Sequence, residues 1–216
     1  MKYIEKGEEP ENFTKWKALE NDDWKPNWDD NFQTPEKPVV HDSLLNEQGY
    51  ICCYCGMRIS RETSHIEHLK PRSSYPNLSL DYTNLITSCQ GESEEPPPIP
   101  VHCGHKKKYW YDEHLMVSPL EITCTDFFKY LPSGEIQSID EPAKKAAAET
   151  TIEKLALNIS KLQNMRRLAI DAALIATDGL SEAEIQLLAQ SYGKLDANGQ
   201  HIPFCAAISY FFKNYF

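Results

Sequence analysis

The sequence predicts an α+β protein, a small zinc-stapled element embedded between an N-terminal helical and irregular segment and a C-terminal helical region. Three observations predict it. Cysteines concentrate in the middle of the chain, with five of the seven lying between Cys52 and Cys103. A hairpin signature follows, in which Phe127–Leu131 and Glu135–Ile139 flank Pro132-Ser133-Gly134. From about residue 141 the chain then reads as successive capped helices.

Taken in order, residues 1–34 carry Phe13, Trp16, Trp24, Trp28 and Phe32 at irregular spacing, broken by Asp22-Asp23, Pro26 and Asp29-Asp30. The pattern predicts a short helix over 13–20 and then an irregular segment pinned by aromatic anchors, wrapping its own chain or docking on a partner. Thr34-Pro35 predicts a helix start, with Thr34 as N-cap and Pro35 at the first position. Val39, Val40, Leu44 and Leu45 give that helix a narrow apolar stripe, and Gly49 is placed to stop it. Past the cysteine-rich centre, Tyr109–Leu115 reads as a helix end or short strand. Asp140 is placed as an N-cap ahead of Pro142, followed by an alanine-rich helix over 143–156. Ser160 opens another helix, Ser181 to Glu184 forms a capping box for a third that Gly193 ends, and Pro203 starts a last one. Glu94-Glu95-Pro96-Pro97-Pro98 reads as an extended loop.

A chain of 216 residues with 41% hydrophobic and 25% charged side chains is ordinary for a soluble globular protein. No apolar run approaches the roughly 18 residues of a membrane span, and Met1–Lys6 is too polar for a signal peptide, so a cytoplasmic location and no membrane partner are expected. The net charge of −10 argues at first against nucleic acid. Its distribution does not: residues 1–50 hold 6 basic and 12 acidic side chains, residues 112–216 hold 9 and 14, and residues 51–111 hold 7 and 6. Acidic flanks around a slightly basic centre fit extensions that bind something other than nucleic acid, or simple solvation.

In a reducing compartment clustered cysteines read as metal ligands more naturally than as disulfides. Cys52 and Cys55 form a C-x-x-C pair whose thiolates can reach one ion, with Cys53 facing elsewhere. Cys89 and Cys103 complete a four-thiolate zinc site, although thirteen residues separate them where about two are usual in a knuckle. Residues 92–100 account for the difference as an insertion looping out, and His102 or His105 is the alternative to one thiolate. Cys124 and Cys205 sit among apolar neighbours and read as small buried side chains. Between the cysteine pairs, Glu67-His68 places a carboxylate beside an imidazole. An imidazole with a pKa near ~6.5 suits the removal of a proton from water, and a carboxylate can hold a hard divalent ion. Neighbours on a strand point to opposite faces, so a kinked strand end before Pro71 is required if both are to face one pocket.

Glu67-His68-Leu69-Lys70-Pro71, then Asn84-Leu85, Cys89, and Cys103 with His105 and Lys108 resemble the HNH endonuclease motif, over about sixty residues. The resemblance implies a ββα-metal finger whose four cysteines, Cys52, Cys55, Cys89 and Cys103, hold structural Zn2+. It implies His68 as general base, and Glu67 and His105 as ligands of a catalytic Mg2+ or Mn2+ ion. Asn84 would orient the loop carrying His68, and Lys70, Arg72, Lys106, Lys107 and Lys108 would contact phosphate. Gly104 sets His105 one place further from Cys103 than the motif usually has it, leaving His102 and Asp112 as alternatives for that position.

A wider resemblance rests on Tyr3-Ile4-Glu5-Lys6-Gly7 with Pro10, the run from Gln48 to Cys55, His65–His68 and the helical tail. It is to the retron- and Septu-type HNH proteins, PtuB-like subunits of anti-phage defence. That implies a nucleic acid substrate, DNA ahead of RNA, and an ABC-type ATPase subunit (PtuA-like) as partner. A retron reverse transcriptase with its DNA/RNA product is a further implied partner. The chain divides accordingly into a 1–49 extension, a 50–115 nuclease core, a 116–140 β-hairpin and a 141–216 helical region. The rival reading is a non-catalytic zinc-finger module that binds nucleic acid or protein.

Overall fold

The computed structural model describes residues 1–91 and 100–215, and the fold is α+β. The expected insertion at 92–100, apart from Pro100, and the extended loop at 94–98 lie outside the described residues. Helix α1 (Glu11–Lys17) and helix α2 (Glu36–Glu47) precede strands β1 (Ser64–His68) and β2 (Leu85–Cys89) and the short helix α3 (Cys103–Lys107). Strands β3 (Phe128–Tyr130) and β4 (Ile136–Ser138) lead to helices α4 (Pro142–Lys154), α5 (Ser160–Ile175), α6 (Glu182–Ser191) and α7 (Cys205–Tyr215).

β1 and β2 pair antiparallel in the register Ser64↔Cys89, His65↔Ser88, Ile66↔Thr87, Glu67↔Ile86 and His68↔Leu85. Helix α3 packs on β2, giving a β-β-α unit. The second two-stranded sheet pairs Phe128 with Ser138 and Tyr130 with Ile136, over the turn that Pro132-Ser133-Gly134 signals. Gly134, at φ +82°, lies where an added Cβ would fall 2.0 Å from the Gln163 carbonyl oxygen, so that hairpin tip is moulded onto α5.

The largest core runs from the cysteine cluster into the C-terminal helices, joining Cys52, Tyr54, Cys89 and Cys103 to Leu155, Leu162, Ile170 and Phe211. A second core is aromatic: Phe13, Trp16 and Phe32 close over Val40 and Leu44 of α2 and over Tyr82 and Leu85 beside β2. The segment around residues 13–32 thus packs on the face of the β-β-α unit that the C-terminal helices leave uncovered. Cys124 and Cys205 are buried, as their apolar neighbours predict.

Several boundaries differ from the sequence reading for local reasons. α1 begins at Glu11, because the Pro10 carbonyl accepts from Phe13 N (2.9 Å) and Thr14 N (3.1 Å), and it ends three residues before Glu20. α2 is not capped by Thr34: Pro35 takes the cap position and no side chain caps the helix. Pro38 falls in its first turn, where N–H groups lack intrahelical acceptors in any case. α4 is preceded by Glu141 rather than Asp140 as cap, with Glu141 extended at ψ 116°. The residue before a proline is pushed out of the α region, and Glu141 precedes Pro142. Tyr109–Leu115 forms neither helix nor strand: Lys108, at φ 51°, stops α3, and the Asp112 carboxylate accepts from His114 N and Leu115 N at 2.8 and 2.9 Å. The capping box at Ser181 and Glu184 forms as expected.

Candidate active site

The cysteines come from three places. Cys52 and Cys55 lie on a tight turn after α2, in which Met57 O accepts from Cys52 N (2.8 Å) and Cys52 O from Gly56 N (3.0 Å). Gly56, at φ +79°, supplies the left-handed conformation the turn requires. The turn is riveted to β2 by Cys53 N donating to Thr87 O (3.1 Å) and by the buried Gln48 amide, which donates to Thr87 O (2.8 Å) and accepts from Thr87 N (2.6 Å). Cys89 closes β2 and Cys103 opens α3.

All four sulfurs are buried and lie within 4.8 Å of one another. Cys55 Sγ and Cys89 Sγ are 3.9 Å apart, against about 3.8 Å for thiolates around a tetrahedral ion with ~2.3 Å bonds. Burial pushes the Cys52 thiol up, but hydrogen bonds from Cys103, Cys53, Cys55 and Cys89 outweigh it and hold Cys52 well below the usual thiol range. Burial pushes Cys103 well up. Four packed, buried sulfurs at this spacing are a donor set that a divalent cation completes. His102 Nδ1 lies 3.1 Å from Cys103 Sγ and 3.9 Å from Cys89 Sγ, so this histidine faces the cluster as a neighbour of its sulfurs.

The second cluster lies across α3 from the first. His65 and Glu67, two apart on β1, share a face of the strand. His65 Nε2 donates to Glu67 Oε2 (3.4 Å), and its ring stacks on His105 of α3 at 4.5 Å. Gly104 makes the approach possible: a Cβ there would fall 2.7 Å from Glu67 Oε2 and 2.8 Å from His65 Nε2. Ser88 Oγ fixes the helix start by accepting from Gly104 N at 3.0 Å. Glu67 Oε1 lies 2.9 Å from Lys107 Nζ and accepts from Tyr54 Oη at 3.5 Å. Burial pushes the Glu67 carboxyl up, but the His65 hydrogen bond and the Lys107 charge outweigh it and hold it below the usual range.

His68 ends β1, and the chain turns there, so it faces the same groove as Glu67 despite being its neighbour. Its Nε2 lies 2.9 Å from Ser79 O. A carbonyl only accepts, so Nε2 carries the proton and Nδ1 is the basic nitrogen of the neutral ring. Burial lowers its pKa to about 4, which keeps the ring neutral at physiological pH. Asn84 holds the loop that follows: Oδ1 accepts from Lys70 N (2.8 Å), while Nδ2 donates to Lys70 O (3.0 Å) and Leu78 O (3.2 Å). Asn84 O also accepts from Leu69 N at 3.0 Å.

The structure gathers Glu67, His68, His105, Arg72 and Lys108 around one open groove of about 920 Å³. His102 and Asp112, the alternatives to His105, do not line it. Lys106 and Lys108 are exposed, Lys70 lies 5.6 Å from the Tyr75 and Tyr111 rings, and Arg72 pairs with Asp29 at 2.5 Å. Lys107 corrects the sequence reading. It is buried between Glu67 and the His68 carbonyl oxygen, 2.9 Å from Nζ, and cannot reach a phosphate. The run Lys106-Lys107-Lys108 gave no sign of this, but a helix turns about 100° per residue and points the middle lysine inward. His65 lines the groove and supports Glu67 by a hydrogen bond, a place that its two-residue offset on the strand signals. Trp28 and Asp29, which line the groove from the N-terminal segment, had none.

Comparison with known proteins gives the family. The HNH endonuclease family profile matches residues 52–91. "Retron Vc95 putative HNH endonuclease" of Vibrio cholerae serotype O1 biovar El Tor is 33% identical over 140 residues, covering 62% of this chain and 65% of that protein. "Retron Ec83 putative HNH endonuclease" of Escherichia coli is 30% identical over 207 residues, covering 77% and 78%. "Septu protein PtuB" of Bacillus thuringiensis is 26% identical over 154 residues, covering 68% of this chain and half of that protein. No helix among the described residues is long and apolar enough to cross a membrane. With the profile covering the stretch that carries Glu67 and His68 and one relative 30% identical over more than three quarters of both lengths, the chain belongs to the HNH endonuclease family.

Proposed function

We propose that the protein is a metal-dependent endonuclease that hydrolyses phosphodiester bonds of nucleic acid in the groove beside His68. The observation that carries the reading is the convergence of a neutral, hydrogen-bonded His68 with Glu67 and His105 on one groove. His68 Nδ1 takes the proton of the attacking water, while the Ser79 carbonyl holds the opposite nitrogen. Asn84 fixes the loop after His68, and Lys108 and Arg72 meet the substrate's phosphates, Arg72 by exchanging its exposed pairing with Asp29.

Glu67 and His105 are the residues to hold a Mg2+ or Mn2+ ion: both line the groove, and the missing Cβ of Gly104 lets Glu67 Oε2 lie against the start of α3, the helix that carries His105. Bound there, such an ion would supply charge stabilisation for the phosphorane and the leaving oxygen. Two protein ligands suit an ion that draws its remaining ligands from water and phosphate. Cys52, Cys55, Cys89 and Cys103 hold structural zinc in this reading.

Relatives named for retrons and Septu support a role in anti-phage defence. The protein would be the effector subunit beside an ABC-type ATPase of the PtuA kind, with a retron reverse transcriptase and its DNA/RNA product as further partners. The acidic flanks, 12 acidic against 6 basic side chains over residues 1–50 and 14 against 9 over residues 112–216, supply the docking surface. DNA is the first substrate to assay and RNA the second. Zinc-loaded protein, alone and co-expressed with the ATPase, is assayed for Mg2+- or Mn2+-dependent cleavage beside His68→Ala. Loss of cleavage with zinc content and melting temperature unchanged is expected. A His68→Ala variant that cuts at the parental rate sinks the mechanism, and a parent inert with either metal and either partner state leaves a non-catalytic zinc module.

A further inference from the structure

The groove has a wall that the family profile does not reach. Trp28 lies twenty-four residues before the first matched position, yet its ring sits 4.2 Å from that of His68 at 73°, edge toward face. The turn that carries it is internally fastened: Asn27 Oδ1 accepts from Asp29 N (2.8 Å) and Asp30 N (3.2 Å), and Asn31 Oδ1 accepts from Asn27 N (2.7 Å). Behind Trp28, Phe32 is fully buried at 4.8 Å and packs in turn on Phe13 at 5.1 Å. Arg72, which also lines the groove, sits 5.5 Å from the Trp28 ring while pairing with Asp29. Aromatic contacts therefore run without a break from the second core to His68.

We propose that Trp28 is a positioning residue for the reaction, holding the His68 imidazole in the orientation that aims its basic nitrogen into the groove. The inference rests on His68 being the general base. Two other holds on His68 act elsewhere: the Ser79 carbonyl restrains a single ring atom, and Lys107 Nζ binds the backbone oxygen. A ring tied at one nitrogen can still rock about that bond. Packing of a rigid indole against it removes the remaining freedom. The turn that carries Trp28 then belongs to the catalytic apparatus, although it lies outside the matched family profile.

The test separates orientation from binding and from folding. Zinc-loaded full-length parent, Trp28→Ala, Trp28→Phe and His68→Ala are assayed with Mn2+ on bis(4-nitrophenyl) phosphate, a substrate too small to need an aromatic wall for affinity. Because a displacement of about 1 Å costs up to ~100-fold in rate, Trp28→Ala should lower kcat by about 10- to 100-fold while KM stays within about twofold. Trp28→Phe should recover most of kcat, because a ring still fills the site. In parallel, 13C relaxation of the His68 ring should show added motion in Trp28→Ala, with the Leu69 and Asn84 amides unmoved. A parental or raised kcat in Trp28→Ala, or a His68 ring as rigid as in the parent, overturns the assignment. A parent no faster than His68→Ala overturns the catalytic reading itself, and the role of Trp28 falls with it.

Discussion

Lys107 is the buried counter-ion of Glu67: its Nζ lies 2.9 Å from Glu67 Oε1, and no part of its side chain reaches solvent. Removing one member of such a pair leaves a charge uncompensated in a low-dielectric site, which costs about 3–5 kcal/mol. Lys107→Met should therefore lower the stability of zinc-loaded protein by about 3 kcal/mol in urea unfolding. The double variant Lys107→Met/Glu67→Gln, with neither charge present, should regain part of that. A Lys107→Met variant within about 1 kcal/mol of the parent would show the pair to be solvated and the burial argument wrong.

Gly104 is open to a sharper test of the groove. A methyl there meets Glu67 Oε2 at 2.7 Å, His65 Nε2 at 2.8 Å and Ser88 Oγ at 3.0 Å, so it pushes the Glu67 carboxylate away from α3 and from the place in which it would hold the proposed ion. Gly104→Ala should raise the Mn2+ concentration for half-maximal cleavage by about tenfold or more, the effect of ~1.4 kcal/mol, while retaining zinc. An unchanged Mn2+ dependence would move the ion away from Glu67.

The cysteine cluster predicts one zinc per chain by elemental analysis. Cys89→Ser should lose that zinc and unfold in parallel, because Cys89 lies at 0% exposure in the largest core and a structural site contributes folding free energy outright. A folded, zinc-free Cys89→Ser protein would refute the structural role.

Acid should loosen the fold through His41. This side chain is buried with Nε2 3.0 Å from Ser64 Oγ, and burial lowers its pKa to about 4 from an ordinary 6.5. The unfolded chain takes the proton first. The contribution is therefore fully present above pH ~6.5 and is lost as pH falls from there toward about 4. His41→Gln should flatten the decline of the urea midpoint between pH 7 and pH 5. Parallel curves for parent and variant would place the acid sensitivity elsewhere.

What the sequence disclosed and what it hid divide by range. The cysteine cluster and the meeting of Glu67 with His68 on one groove were legible because metal and acid–base chemistry demands particular residue types at short, ordered spacings, whereas the loop-holding place of Asn84 came only with the family resemblance. The capping box at Ser181 and the hairpin at Pro132-Ser133-Gly134 were legible for the same local reason. The inward turn of Lys107 was not, because three consecutive lysines look alike until a five-residue helix rotates one under the strand. Trp28 was legible as an aromatic anchor, but its neighbour on the far side, His68, is forty positions away along the chain. Asp140 was displaced as cap by the backbone of Glu141, and its carboxylate instead lies 3.0 Å from Lys129 Nζ.

Helix α3 spans Cys103–Lys107, so one short turn of chain begins at a thiolate and carries His105 two residues on. The two proposed metal sites would consequently share a mechanical part, and a chelator that halts cleavage could act through either. Time and reversibility separate them. Withholding Mg2+ or Mn2+ from zinc-loaded protein should stop cleavage within mixing time and be undone by adding the ion back. Stripping the thiolates should proceed slowly, together with loss of α3 and of the groove it lines, and its reversal should require refolding with zinc.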